Sequence, residues 1–199
     1  MEIEYIDNKI VLEKELNDLD LFTLDFTNIL NKLNIKYVIV SGYVAILFGR
    51  SRGSEDVDLI IENMDYSKFN ELWTELYTKF ECILVDTPKI AYDDYLKLKD
   101  RLRFAKADTF IPNMEVKTPS TDIENWVLTN SIEVNLNKNK LFISSFELQI
   151  AYKLYLGSEK DIEDARYLYK LFSDRLDQNK LSEFINLLEV KNKFERYLL

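Results

Sequence analysis

Apolar residues recur along this chain in two rhythms, one of period 3.6 and one of alternation or short continuous runs. Between about Leu12 and Leu33 the spacing is helical: Phe22, Phe26, Ile29, Leu30 and Leu33 stand at i, i+4, i+7, i+8 and i+11. Asn34 is suited to close that helix as its C-cap. Ahead of it, Met1 to Val11 is weakly patterned and reads as an arm or a short strand. Tyr37 to Val40 is a continuous apolar run, which predicts a buried strand. Ser41-Gly42 breaks that run, a turn or two of helix follows from Tyr43 to Phe48, and Gly49 stops it. The basic, hydroxyl-bearing loop Arg50-Ser51-Arg52-Gly53-Ser54 then leads into a second strand, Glu55 to Ile61.

Beyond a turn at Asn63-Met64-Asp65, Ser67 is placed to cap a helix from Lys68 to Phe80, with Phe69, Leu72, Trp73, Leu76 and Phe80 on its inner face. Cys82 to Val85 reads as a strand. Ile90 to Leu102 fits a helix only loosely, and Phe104 to Ile111 fits a strand or an irregular loop. Met114 to Lys117, bounded by Pro112 and Pro119, suits a brief strand. Thr121 to Leu128 suits a short helix, and Ile132–Leu136 with Leu141–Ile143 a hairpin. From Ser145 the pattern is helical to the end: Ser145 to Leu156, Glu159 to Phe172 capped by Ser158, Lys180 to Val190, and Asn192 to Leu199. The chain thus divides into an α/β part, residues 1–143, and a helical part, residues 144–199.

Composition removes several chemistries. The 199 residues contain no histidine, which excludes His-based triads, acid–base schemes and metal sites. The one cysteine, Cys82, lies in an apolar run and reads as a structural thiol. What remains is carboxylates, Lys/Arg, hydroxyls and metal. Lys and Arg number 26 against 35 Asp and Glu, so the net charge is −9. A body this acidic repels polyanions at long range, and small nucleotides carried with Mg²⁺ suit it better than nucleic acid. No apolar run approaches the roughly 20 residues of a membrane span, and a cytoplasmic protein is the expectation.

The acidic strand carries the sharpest signal. Asp56 and Asp58 are at i and i+2, so a strand turns both to one face, where their charges repel. A hard divalent cation is the usual remedy for such a pair. Strand, glycine turn, short helix and Asp-x-Asp together resemble the nucleotidyltransferase superfamily that includes DNA polymerase β. Ser41-Gly42 stands for its h-G-[GS] turn, and Asp56-Val57-Asp58-Leu59 for its D-h-[DE]-h half. Arg52-Gly53-Ser54-Glu55-Asp56-Val57-Asp58 is similar to the R-x-[TS]-x-D-h-D form of the minimal and AbiEii-like branches.

The resemblance covers about residues 36–170. It implies an α/β (α+β) nucleotidyltransferase fold, a small mixed sheet flanked by helices with a C-terminal α-helical part. It also implies a third carboxylate, for which Met114-Glu115-Val116-Lys117-Thr118-Pro119 matches the shape h-D-h-K-h-P with Glu in place of Asp. Asp108 and Glu133 are the rivals for that role. Asp56, Asp58 and Glu115 would then hold two Mg²⁺, with Mn²⁺ as the substitute. Gly42 would let a triphosphate approach the backbone. Ser41, Arg50, Arg52 and Ser54 would meet phosphate, or else cap, pair or solvate locally. Ser145-Phe146-Glu147-Leu148 through Lys153 to Gly157 and Lys160-Asp161 is a looser match to a second family element, and it points to Lys153 as a phosphate-facing lysine with Asp164 near the cleft.

Taken together, these readings predict a Mg²⁺-dependent enzyme that moves a nucleoside monophosphate from an NTP to a hydroxyl. The acceptor is left open among a tRNA end, a protein side chain and a small molecule, in a toxin–antitoxin or stress context by analogy. The alternative is a non-catalytic nucleotide- or partner-binding module that has kept the fold.

Overall fold

The computed structural model describes residues 2–6 and 9–199; Met1, Asp7 and Asn8, part of the weakly patterned N-terminal stretch, lie outside the described residues. In chain order the strands are β1 (Glu2–Ile6), β2 (Lys9–Glu13), β3 (Tyr37–Val40), β4 (Asp56–Ile61), β5 (Phe80–Cys82), β6 (Leu102–Lys106), β7 (Asn113–Lys117), β8 (Ile132–Leu136) and β9 (Asn139–Ile143). The helices of the first part are α1 (Asp18–Lys32), α2 (Gly42–Leu47), α3 (Tyr66–Leu76), α4 (Pro88–Ile90) and α5 (Asp122–Thr129). Those of the second are α6 (Phe146–Leu156), α7 (Glu159–Phe172), α8 (Gln178–Leu187) and α9 (Lys191–Tyr197). Among the described residues the strands form one mixed sheet in the order β1-β2-β8-β9-β3-β4-β7-β6-β5.

That order explains the sequence pattern of β4. It is a central strand, antiparallel to β3 and parallel to β7, so both of its edges are paired, and one face packs into the core. Val57, Leu59 and Ile61 are fully or almost fully buried, as are Met114, Val116, Leu102 and Phe104 on the neighbouring strands. The carboxylates Asp56 and Asp58 take the opposite face. Only where a cavity borders the sheet can such an alternation place charge inside a central strand.

Several predicted boundaries shift. The helix predicted from Leu12 starts at Asp18, because Lys9–Glu13 alternates Ile10 and Leu12 into the core and pairs in parallel with β8. Asn17 caps α1 in a reciprocal box with Asp20: the Asn17 side chain accepts from the Asp20 N–H, and the Asp20 carboxylate from the Asn17 N–H. Asn34 sits one residue past the cap at φ 52°, while Ile35 N–H reaches back to Leu30 O, which is a Schellman closure. Asp65, not Ser67, caps α3, accepting from Lys68 N–H at 2.9 Å. Cys82 ends β5 rather than beginning a strand. The ambiguous stretch is helical: α4 runs into a π-turn, Ala91–Tyr95, and a 3-10 turn, Leu96–Leu98.

The helical part shares the core of the α/β part. Phe48, just past α2, meets Phe146 at 5.3 Å and Phe172 at 5.0 Å edge-on, while Phe146 and Phe172 stack at 3.8 Å. This aromatic trio seats α6 and α7 beside α2, and Tyr167 adds a hydrogen bond from its hydroxyl to Phe48 O. Helix α6 therefore stands over the Ser41-Gly42 turn. Its relation to that turn builds the site.

Candidate active site

A cavity of about 910 Å³ opens between the sheet and helices α5, α6 and α7. Its floor is a row of residues in register across three strands. Val40 of β3 lies beside Asp58 of β4, Asp58 beside Glu115 of β7, and Glu115 beside Arg103 of β6. Neighbours in register present their side chains on one face, so the floor reads apolar, acid, acid, base. Asp56 lies two residues from Asp58 on the same face, and Ser54 Oγ donates to it at 3.2 Å.

Asp58 bears the consequence of this crowding. Its carboxyl is held above the ordinary range, by burial first and then by the charges of Asp56 and Glu115, with Arg101 and the Ser41 hydroxyl pulling the other way. Glu115 is 4% exposed and is bridged by two guanidiniums, Arg101 Nη1 at 2.7 Å and Arg103 Nη2 at 2.5 Å. The neighbouring lysines do not compete for it: Lys117 holds Glu124 and Lys106 holds Asp25. Asp108 is exposed in the turn after β6, and Glu133 on β8 pairs with Lys9 and Lys140. Neither borders the cavity. Among the described residues no three carboxylates converge as a ready metal cage, since Glu115 is turned to its arginines.

The other end of the cavity is cationic. Asp164 of α7 is fully buried and gathers Lys153 at 2.9 Å, Arg52 at 3.1 Å and Arg50. Lys153, 3% exposed, also reaches Asp161 at 2.6 Å and the Ser41 hydroxyl at 3.5 Å. Burial works to raise the Asp161 pKa, but the Lys153 and Ser158 hydrogen bonds outweigh it and hold the carboxyl below its usual value. The Arg52 guanidinium lies over Gly42 so closely that a Cβ built there would collide with it. The absence of a side chain at position 42 is thus what admits a charged group to this backbone. Arg50 joins Asp164 and the Lys160 carbonyl but does not border the cavity.

Of the residues singled out from sequence, Ser41, Gly42, Arg52, Ser54, Asp56, Asp58, Glu115 and Lys153 all line this one cavity. Sequence reasoning missed three others. Gln149 of α6 donates to Ser41 O at 2.5 Å and accepts from Ser41 N–H at 3.3 Å and Ser144 Oγ at 2.8 Å, so it clamps the turn. Its spacing of four from Lys153 on one helix was the available signal. Arg101 and Arg103 fell at the end of a stretch read as loosely helical and just before an ambiguous one, and neither position announces an ion pair.

Ser41 adopts φ 63°, ψ −135°, a region that side chains other than hydrogen rarely enter. Such a residue costs on the order of 1–3 kcal/mol. Ser41→Gly should therefore raise the midpoint of urea unfolding, with a gain near the lower end because the hydroxyl's contact with Lys153 is lost. A fall in the midpoint would show that the hydroxyl contributes more than the backbone strain costs.

The fold has solved counterparts. An antigenic nucleotidyltransferase-like protein from Paracoccidioides brasiliensis superposes with a TM-score of 0.54 at 20% identity, over 92% of this chain and 94% of that one. The antibiotic-resistance factor ANT(2")-Ia, in complex with adenylyl-2"-tobramycin, gives 0.54 at 14% identity over 86% and 98%. The lincosamide antibiotic adenylyltransferase LnuA, lincomycin-bound, gives 0.51 at 14% over 79% and 99%. The chain has the nucleotidyltransferase fold, as its sequence resemblance implied. No protein-family model and no curated protein sequence matches it. Among the described residues no helix is long and apolar enough to cross a membrane.

Proposed function

We propose that this protein is a nucleotidyltransferase that moves a nucleoside monophosphate from an NTP to an acceptor hydroxyl, in the cytoplasm. One observation carries the reading: Asp56, Asp58 and Glu115 share a face of the sheet floor beside a cationic seat made of Gly42, Arg52 and Lys153. The triphosphate would lie over Gly42 and take Arg52 and Lys153 as partners, in part exchange for Asp164. The AbiEii-like branch is the finer assignment that the Arg52–Ser54 loop supports, and a toxin–antitoxin setting would follow from it.

The donor set suits Mg²⁺. Asp56 and Asp58 repel each other, Asp58 is pushed up by burial and then by its acidic neighbours, and the buried Asn113 Oδ1, in register with Asp56, has no hydrogen-bond partner among the described residues. All are hard oxygens. Asp56 and Asp58 would hold the ion, and Glu115 would join them once its arginines release it. Bound there, divalent metal would sharpen the acceptor hydroxyl and neutralise the leaving pyrophosphate. The chain's own part is to orient the hydroxyl beside Glu115 and to hold the triphosphate in line with it.

A ligand that binds only the folded state stabilises it by RT ln(1 + [L]/Kd), about 2.7 kcal/mol at a hundredfold excess over Kd. NTP with Mg²⁺ should accordingly raise the melting temperature, and labelled pyrophosphate release should follow when an acceptor is added. No shift with any of the four NTPs would favour the second reading in its partner-binding form, a module that keeps the fold. The engagement of Glu115 by two arginines is the observation in its favour. Glu115→Gln separates the two further. In the enzyme it should lower turnover at least about tenfold with nucleotide Kd little changed, because its task lies at the acceptor.

A further inference from the structure

The sheet floor has two cationic ends, and the triphosphate needs only one. In the strand order β3-β4-β7-β6, the Gly42–Lys153 seat lies on the β3 side of Asp58, while Arg101 and Arg103 lie on the far side of Glu115. Two guanidiniums there share the one carboxylate they bridge, and Asp58 acts on Arg101 as a further charge without bridging it. Their side chains are 54% and 50% exposed, against 5% for Glu115, so their free faces look into the cavity. The next pair, Lys117 with Glu124 at 2.6 Å, is already neutral.

We propose that this arginine fork selects a small acceptor carrying a phosphate group near the hydroxyl that is nucleotidylated. The proposal rests on the transferase reading and adds its substrate class. Guanidinium forks match phosphate oxygens bidentately. A phosphate arriving at the fork would replace Glu115 as the partner of Arg101 and Arg103. The freed carboxylate then faces Asp58 and the acceptor hydroxyl, so acceptor binding and release of Glu115 are one event. In the step itself the hydroxyl oxygen bonds to the α-phosphorus and its proton passes to Glu115. The bridging bond from the α-phosphorus to oxygen breaks, and pyrophosphate leaves with the electron pair.

Charge favours a small molecule over a nucleic acid. The protein carries net −9, and two arginines serve about one phosphate, whereas a polynucleotide is held by several. The fork itself disfavours cationic acceptors, which two guanidiniums would repel.

The test pairs binding with transfer. Glucose 6-phosphate and glucose are compared by thermal shift without nucleotide, on the wild-type protein and on Arg101→Gln, Arg103→Gln and the double variant. Each single variant leaves one guanidinium on Glu115, so folding of the double variant is not required for an answer. The expected result is a shift with the phosphorylated sugar alone, weakened at least about tenfold in apparent affinity by either single substitution, with NTP affinity unchanged. Transfer from α-labelled NTP with Mg²⁺ is then run against a pool of sugar phosphates and nucleoside monophosphates, their dephosphorylated forms, an aminoglycoside and total RNA. Preference for the phosphorylated small acceptors supports the proposal. Equal labelling of dephosphorylated or cationic acceptors, labelling of RNA alone, weakened NTP binding in the arginine variants, or a glucose 6-phosphate shift that survives both substitutions overturns it. Failure of NTP to bind would sink the transferase reading, and the glucose 6-phosphate arm would still decide whether the fork is an anion site.

Discussion

Replacing Asp164 with Asn should cost about 3–5 kcal/mol of stability, the range found when one partner of a buried ion pair is removed. The substitution keeps the shape and removes the charge that Arg50, Arg52 and Lys153 share at full burial. Lys153 retains Asp161, but among the described residues neither arginine has a second carboxylate. At roughly 2–4 °C per kcal/mol for a chain of this size, the melting temperature should fall by on the order of 10 °C. A denaturant titration gives the free energy directly, and a loss below about 1 kcal/mol would mean that the arginines swing to solvent without penalty. Nucleotide should narrow the gap between variant and wild type, because a bound triphosphate supplies the anion that the substitution removed.

Asp58→Asn should have the opposite profile. Transfer should fall by at least about 10³-fold, roughly 4 kcal/mol of transition-state stabilisation, while the melting temperature holds or rises. The charge removed is one that burial, Asp56 and Glu115 all oppose in the folded protein, so its loss relieves repulsion and leaves packing intact. Retained transfer with Mg²⁺ would end the assignment of Asp58 to the metal. A large fall in melting temperature would show that its hydrogen bonds outweigh the repulsion. Together the two variants divide the polar interior into a charge cluster that stabilises the fold and a carboxylate set maintained at its expense. That division is expected where a site is built for catalysis.

Much of this site was legible because its logic is local. A strand turns i and i+2 to one face whatever surrounds it, so Asp56 and Asp58 had to be neighbours. The run Tyr37–Val40 followed by Ser41-Gly42 had to end a strand in a tight turn. The caps at Ser145 and Ser158 and the stop at Gly157 depend on backbone groups within three or four residues. Element ends were less legible where two local signals competed. Asp65 and Ser67 are both good caps, and only the seating of α3 on the sheet chose between them.

What tertiary structure alone decided is pairing at long range. The register that sets Glu115 beside Asp58 joins residues 57 positions apart, and no periodicity encodes which parallel strand will lie next to β4. The same holds for Asp164, which the looser family match points to only as near the cleft and which becomes the buried counter-ion of three cations only when α7 docks against α2. Arg101 and Arg103 meet Glu115 only because β6 pairs with β7. Charge sign and spacing are properties of the chain, but the partner of a buried charge is chosen by which surfaces exclude water, and that is settled only when the sheet and helices have packed.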